Sequence, residues 1–119
     1  MRFISALALL AAVVAVAAPG ASAAGPVATA SKTCSVGDSR SYGTTYVLAI
    51  SVSNTSCRAG RKVIRAFHAC RPGDSGKCGS VKGYSCSEKR FNKSRTSYDS
   101  KVTCHKGDKT VKHTYTQFI

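Results

Sequence analysis

The stretch Ser56–Cys70, SCRAGRKVIRAFHAC, decides how the rest of the chain is read. Cys57, Gly60, Val63, Ile64, Phe67 and Cys70 recur at three- and four-residue steps, which gives an amphipathic helix one apolar stripe. Arg58, Arg61, Lys62 and Arg65 fall on the other side as a basic stripe. Asn54-Thr55-Ser56 supplies side-chain oxygens to cap the free N–H groups at the start. Arg71-Pro72-Gly73 stops the helix, because proline lacks a donor and disfavours a helical residue before it.

The flanks read as strands that cover the apolar stripe. In Thr44–Ser53, Tyr46, Leu48, Ile50 and Val52 share one face, and Thr45, Val47, Ala49 and Ser51 the other. After the polar loop Asp74–Gly79 come Val81–Arg90, Ser97–His105 and Thr110–Phe118. Lys106–Lys109 is a tight turn that makes the last two an antiparallel hairpin. Tyr84 and Cys86 share a strand face, as do Tyr98, Val102 and Cys104, and Val111, His113 and Tyr115. The expected fold is α+β: one amphipathic helix on a small antiparallel sheet, in the order strand-helix-strand-strand-strand, stabilised by disulfides.

Upstream, Arg2 precedes an apolar run, Phe3–Ala18, and Ala21-Ser22-Ala23 fits the small-x-small cleavage rule. Residues 1–23 read as a secretory signal peptide, residues 24–33 as a flexible leader and 34–119 as a single disulfide-rich domain. The expected location is extracellular. All six cysteines follow the signal, and none stands in a Cys-x-x-Cys pair, which favours bridges over zinc. Cys70 and Cys78 face each other across a short loop and are expected to pair. Cys57, on the buried stripe, meets an inward strand cysteine, Cys86 or Cys104. Cys57–Cys104 is favoured, which leaves Cys34–Cys86.

The motif set resembles small exported six-cysteine proteins of actinobacteria. It comprises a Gly-Thr-Thr-Tyr-like strand, Val-Ser-Asn-Thr-Ser-Cys, and then Arg-Ala-Gly-Arg-Lys-Val-Ile-Arg-Ala-Phe. A cysteine pair like Cys70 and Cys78 follows, then Tyr84-Ser85-Cys86, Val102-Thr103-Cys104 and a Thr-Tyr-like ending. The likeness runs from about Cys34 to Phe118. It implies an exported single domain and carries no activity or functional residue with it.

Lys and Arg number 18 against 5 Asp and Glu, a formal net charge of +13. A charge this large attracts anionic partners over long range. Besides the helix stripe, Lys89, Arg90, Lys93 and Arg95 crowd the Phe91–Thr96 loop, and Lys101, Lys106, Lys109 and Lys112 form a third group. The expected anion-binding residues are Arg58, Arg61, Lys62, Arg65, Lys89, Arg90, Lys93 and Arg95. Lys101 and Lys112 belong on the outer face of the hairpin.

Catalysis finds less support. There is no Gly-x-Ser-x-Gly elbow or Gly-rich phosphate loop, and oxidised cysteines are no nucleophiles. His68 and His105 read as a helix-end and a strand-surface histidine rather than metal ligands. Glu88, Arg90, His105 and His113 are the residue types a small ribonuclease uses, although their spacing fits no motif and His113 reads as packed. Tyr84, Tyr98 and Tyr115 read as core, leaving Phe91 as the exposed aromatic, which speaks against base-specific reading of single strands. The sequence therefore points to a non-catalytic module that binds an anionic polymer, a cell-surface component or an acidic protein, as an inhibitor or antagonistic effector. Nucleic acid is included without sequence preference, and no cofactor, metal or membrane span is called for. The alternative is a small exported ribonuclease-like hydrolase.

Overall fold

The structure, a computed structural model, describes residues 31–37, 42 and 45–119. The signal peptide expected at 1–23 and residues 24–30 of the expected leader lie outside the described residues. Six strands and one helix follow in the order β1 (Lys32–Cys34), β2 (Thr45–Ser53), α1 (Cys57–Cys70), β3 (Ser80–Val81), β4 (Tyr84–Phe91), β5 (Ser97–Lys106) and β6 (Lys109–Phe118). They build one antiparallel sheet of strand order β1-β2-β6-β5-β4-β3, with α1 across its inner face. The α+β class stands, but the molecule is mostly sheet and has two more strands than the sequence pattern shows.

Both extra strands are short. β1 takes up Lys32 and Thr33, which composition had placed in a flexible leader, and pairs them with Val52 and Ser51. β3 takes only Val81 from what reads as one run, Val81–Arg90, and adds Ser80 before it. Lys82 and Gly83 both adopt positive φ, 50° and 77°, and fold that run into a two-residue hairpin pairing Val81 with Tyr84.

A third difference lies inside β2. The register shifts between Val47 and Ala49. The bulge sends Val47, Ile50 and Val52 inward and leaves Leu48 and Ala49 exposed, so strict alternation fails in mid-strand. Tyr46 therefore does not share a face with Ile50 and Val52.

Helix α1 begins where its cap dictates: Ser56 is extended and its hydroxyl accepts from the Ala59 N–H at 3.0 Å. Gly60, Val63, Ile64 and Phe67 are its buried residues. Gly60 is required by contact, since a Cβ there would lie 2.6 Å from Val52 Cγ1. Around this seam pack Ile50, Val52, Val102, Val111 and Tyr115, all under 3% exposed.

All six cysteines are paired: Cys34–Cys57, Cys70–Cys78 and Cys86–Cys104. The loop pair is the expected one. The other two expectations, Cys57–Cys104 and Cys34–Cys86, are wrong, and strand order explains why. Cys86 and Cys104 sit directly opposite each other in β4 and β5 and bond to each other. Three strands separate β1 from β4, about 19 Å at about 4.8 Å per strand, far beyond the roughly 6 Å between Cα atoms that a bridge spans. Cys34, on the edge strand, reaches the start of α1 instead, with a Cα–Cα distance of 5.5 Å.

Candidate anion-binding face and inner polar cluster

Alternation along the strands sorts the charged residues onto two surfaces. Glu88 and Arg90 of β4, Tyr98 and Ser100 of β5, and His113, Tyr115 and Gln117 of β6 point inward, where the end of α1 adds His68 and the following loop adds Arg71. Register brings them together: Arg90 faces Ser100, Ser100 faces Tyr115, and Tyr98 faces Gln117.

Arg71 is the hub of this cluster, only 8% exposed. Its Nε donates to the Gly76 carbonyl at 3.0 Å, and Nη2 to the Asp74 carbonyl at 2.7 Å and the Tyr98 hydroxyl at 2.6 Å. Nη1 meets Gln117 Oε1 at 3.2 Å and His68 Nδ1 at 3.1 Å. The guanidinium lies 4.8 Å from the Tyr115 ring centre. Arg90 is the second clamp, donating to the Ser75 and Gly76 carbonyls at 2.9 and 2.8 Å and stacking 4.3 Å from Tyr98. Two arginines thus hold three successive carbonyls of the loop between α1 and β3.

Glu88 is equally committed. Ser100 and Tyr115 hydroxyls donate to Oε2 at 2.6 Å each, and Arg90 bridges both oxygens at 3.2–3.3 Å. Burial works against the charge, but these hydrogen bonds outweigh it and hold the carboxyl below its ordinary value. Burial, and then the bond to Glu88, push the Tyr115 hydroxyl well above its own. The Glu88 side chain is 3% exposed and that of Arg90 14%.

The two histidines complete a directional chain. Arg71 is always a donor, so His68 Nδ1 accepts; its proton sits on Nε2 and is donated to His113 Nε2 at 2.9 Å. The His113 proton then sits on Nδ1, a buried atom with no hydrogen-bond partner among the described residues. Burial, followed by the Arg71 charge, lowers His68 from 6.5 to about 3. Burial, followed by His68 and Arg71, also lowers His113. The unfolded chain therefore binds more protons between pH 6.5 and about 3, and stability falls as pH drops through that window. Glu88 adds a second loss below 4.5, where its unfolded form begins to protonate first. The urea midpoint is expected to fall steadily from about pH 7 to about pH 4, as the unfolding free energy drops by an amount on the order of a few kcal/mol. A midpoint constant across that range would contradict the buried neutral pair.

His105 lies elsewhere. It is exposed on the outward side of β5, with Nδ1 3.1 Å from Thr110 Oγ1, so the four candidate acid–base residues do not meet. Among the described residues no group of three or more His, Cys, Asp or Glu is placed to hold a metal ion. No helix among them is long and apolar enough to cross a membrane.

The expected anion-binding set divides over several surfaces. Arg58, Lys62 and Arg65 are exposed on the side of α1 away from the sheet. Arg61 is spent on the Ser35 carbonyl, which it grips through Nε and Nη2 at 3.1 and 2.9 Å. Arg90 belongs to the inner cluster, a correction that follows from its inward parity beside Glu88. Lys93 and Arg95 are exposed in the β4–β5 loop. Lys89 stands outward on β4, directly opposite Lys101 of β5.

The outer face of the sheet is where cations concentrate in register. One row across β4, β5, β6 and β2 is Lys89, Lys101, Thr114 and Ala49; the next is Ser87, Thr103, Lys112 and Ser51. Neither row contains a carboxylate. A groove of about 410 Å³ lies here, lined by Lys101, Lys112, Thr103, Thr114, Ser51 and Thr33 among others. Lys101 and Lys112 take the outer positions that strand parity assigns them. No known protein family, curated protein or solved structure matches the chain.

Proposed function

We propose that the protein is a secreted, strongly basic, non-catalytic binding module that docks on anionic polymers through the outer face of its sheet. The observation that carries this reading is the facing pair Lys89 and Lys101, with Lys112 diagonal to Lys101. Like charges directly opposite in a sheet are destabilising. No acid in either row offsets them, so the natural counter-charge is an anion from outside the chain. Ser87, Thr103, Thr114 and Ser51 supply hydroxyl donors between the lysines. Arg58, Lys62 and Arg65, behind the helix, add long-range attraction rather than contacts to the same ligand. Three disulfides suit an extracellular location.

The hydrolase alternative needs an accessible base, and Glu88 and His113 are both buried and already engaged with protein groups. Chromatography on heparin resin and a bulk-RNA turnover assay separate the two readings. The protein is expected to be retained on heparin, to elute only at raised salt as phosphate- and sulfate-binding proteins do, and to leave RNA intact. RNA turnover that disappears in Glu88→Gln would overturn the non-catalytic reading.

A further inference from the structure

A second row on the same outer face has a different chemistry. Phe91 of β4, Asp99 of β5, Thr116 of β6 and Tyr46 of β2 are aligned across four strands, immediately beside the row that holds Lys89 and Lys101. Phe118, 55% exposed, packs edge-on to Tyr46 with ring centres 5.3 Å apart. Lys101 Nζ lies 6.0 Å from the centre of the Phe91 ring. The β2 bulge delivers Tyr46 to this face, where it joins Phe91 of β4 and Phe118 of β6.

Rows two residues apart along a strand are about 7 Å apart. That is the reach from a backbone phosphate across its sugar to the base. Phe91 and Tyr46, three strands apart, are separated by about 14 Å, room for more than one base between the ring sites. Asp99 keeps its negative charge, since its two oxygens accept from Thr116 and Asn92 at 2.6 and 2.9 Å, and so disfavours phosphate on the aromatic row and leaves it to the lysine row. Its remaining lone pairs are acceptors suited to a base amino group.

Resting on the reading of the outer face as an anion site, we infer that its ligand is single-stranded nucleic acid. Lys89, Lys101 and Lys112 hold the phosphates, and Phe91 and Phe118 stack bases. A sugar sulfate or a base-free phosphate polymer would use the lysines alone and leave the aromatic row idle. A duplex would present phosphates but keep its bases stacked away from the rings.

Fluorescence anisotropy with a labelled ten-nucleotide oligodeoxycytidine tests this, with its duplex and inorganic polyphosphate as competitors. The wild-type protein is expected to bind the single strand, with duplex and polyphosphate competing at least tenfold less well per phosphate. Phe91→Ala together with Phe118→Ala is expected to weaken oligonucleotide binding about tenfold or more, while the salt needed for elution from heparin stays the same. Phe91→Tyr keeps a stacking ring and should retain the affinity. Polyphosphate competing as well as the oligonucleotide, or the double alanine variant binding it unchanged, overturns the inference while the heparin result still supports an anion site. Absence of both oligonucleotide binding and heparin retention overturns the anion reading as well. The single-strand, duplex and polyphosphate comparison uses only the wild-type chain, so it decides the matter even if an aromatic variant fails to fold.

Discussion

Reduced and alkylated protein is expected to be unfolded at about 37 °C, the usual fate of a small disulfide domain that loses its bridges. The three bridges close loops of 23, 8 and 18 residues that lie side by side in the sequence and do not overlap. Chain entropy assigns them roughly 3.4, 2.5 and 3.2 kcal/mol, about 9 kcal/mol together. That is comparable with the whole stability of a typical domain, about 5–15 kcal/mol. The first bridge also ties the edge strand β1 to the start of α1, the second closes the loop after α1, and the third links β4 to β5. Far-UV circular dichroism of the alkylated protein checks this directly. A native spectrum after alkylation would mean that the sheet and the Gly60–Val52 seam suffice by themselves.

The largest single-residue effect is expected at Arg71. Replacing it with alanine takes one of two donors from each of the Asp74 and Gly76 carbonyls and Gln117 Oε1, takes the donor facing His68 Nδ1, and removes the cation over Tyr115. Arg71 acts here through charge-assisted hydrogen bonds rather than an ion pair, and losing them at a buried site costs about 2–3 kcal/mol. Arg71→Lys should recover little, because a point charge with three donors does not reproduce a five-donor fork aimed at carbonyls, a hydroxyl and a ring nitrogen. Urea unfolding measures both variants. A loss below about 1 kcal/mol for the alanine variant, the size of an exposed pair, would show that the cluster does not hold the loop.

Arg71 also marks the limit of what the sequence discloses. Standing before Pro72 and Gly73, it reads as part of a helix stop, and its role depends on Tyr98 and Gln117, distant in sequence. The only local hint is a cation placed where helix carbonyls run out. The helix itself, its Ser56 cap and the final hairpin are legible because each rests on periodicity or turn chemistry within a few residues. The β2 bulge is not, since one extra residue reverses parity without any change in composition. Strict alternation therefore groups Tyr46 with Ile50 and Val52, which hides the aromatic row. The bridge Cys86–Cys104 depends on the register that sets the two residues opposite each other in β4 and β5, and Cys34–Cys57 on the short edge strand β1, which composition does not reveal. Glu88, Arg90 and His113 were recognised as chemically suggestive types. Their gathering into one hydrogen-bonded inner cluster depends on the tertiary fold.

The central claim is that anions bind at one face and are not merely attracted by net charge. Two charge-matched triple variants test it: Lys89→Gln/Lys101→Gln/Lys112→Gln on the sheet and Arg58→Gln/Lys62→Gln/Arg65→Gln on the helix. Each removes three exposed positive charges, and neither should change stability much. The measurement is the salt concentration at which each elutes from heparin, compared with the wild-type protein. The sheet variant is expected to elute at clearly lower salt than the helix variant. Equal shifts, or a larger shift for the helix variant, would contradict the account.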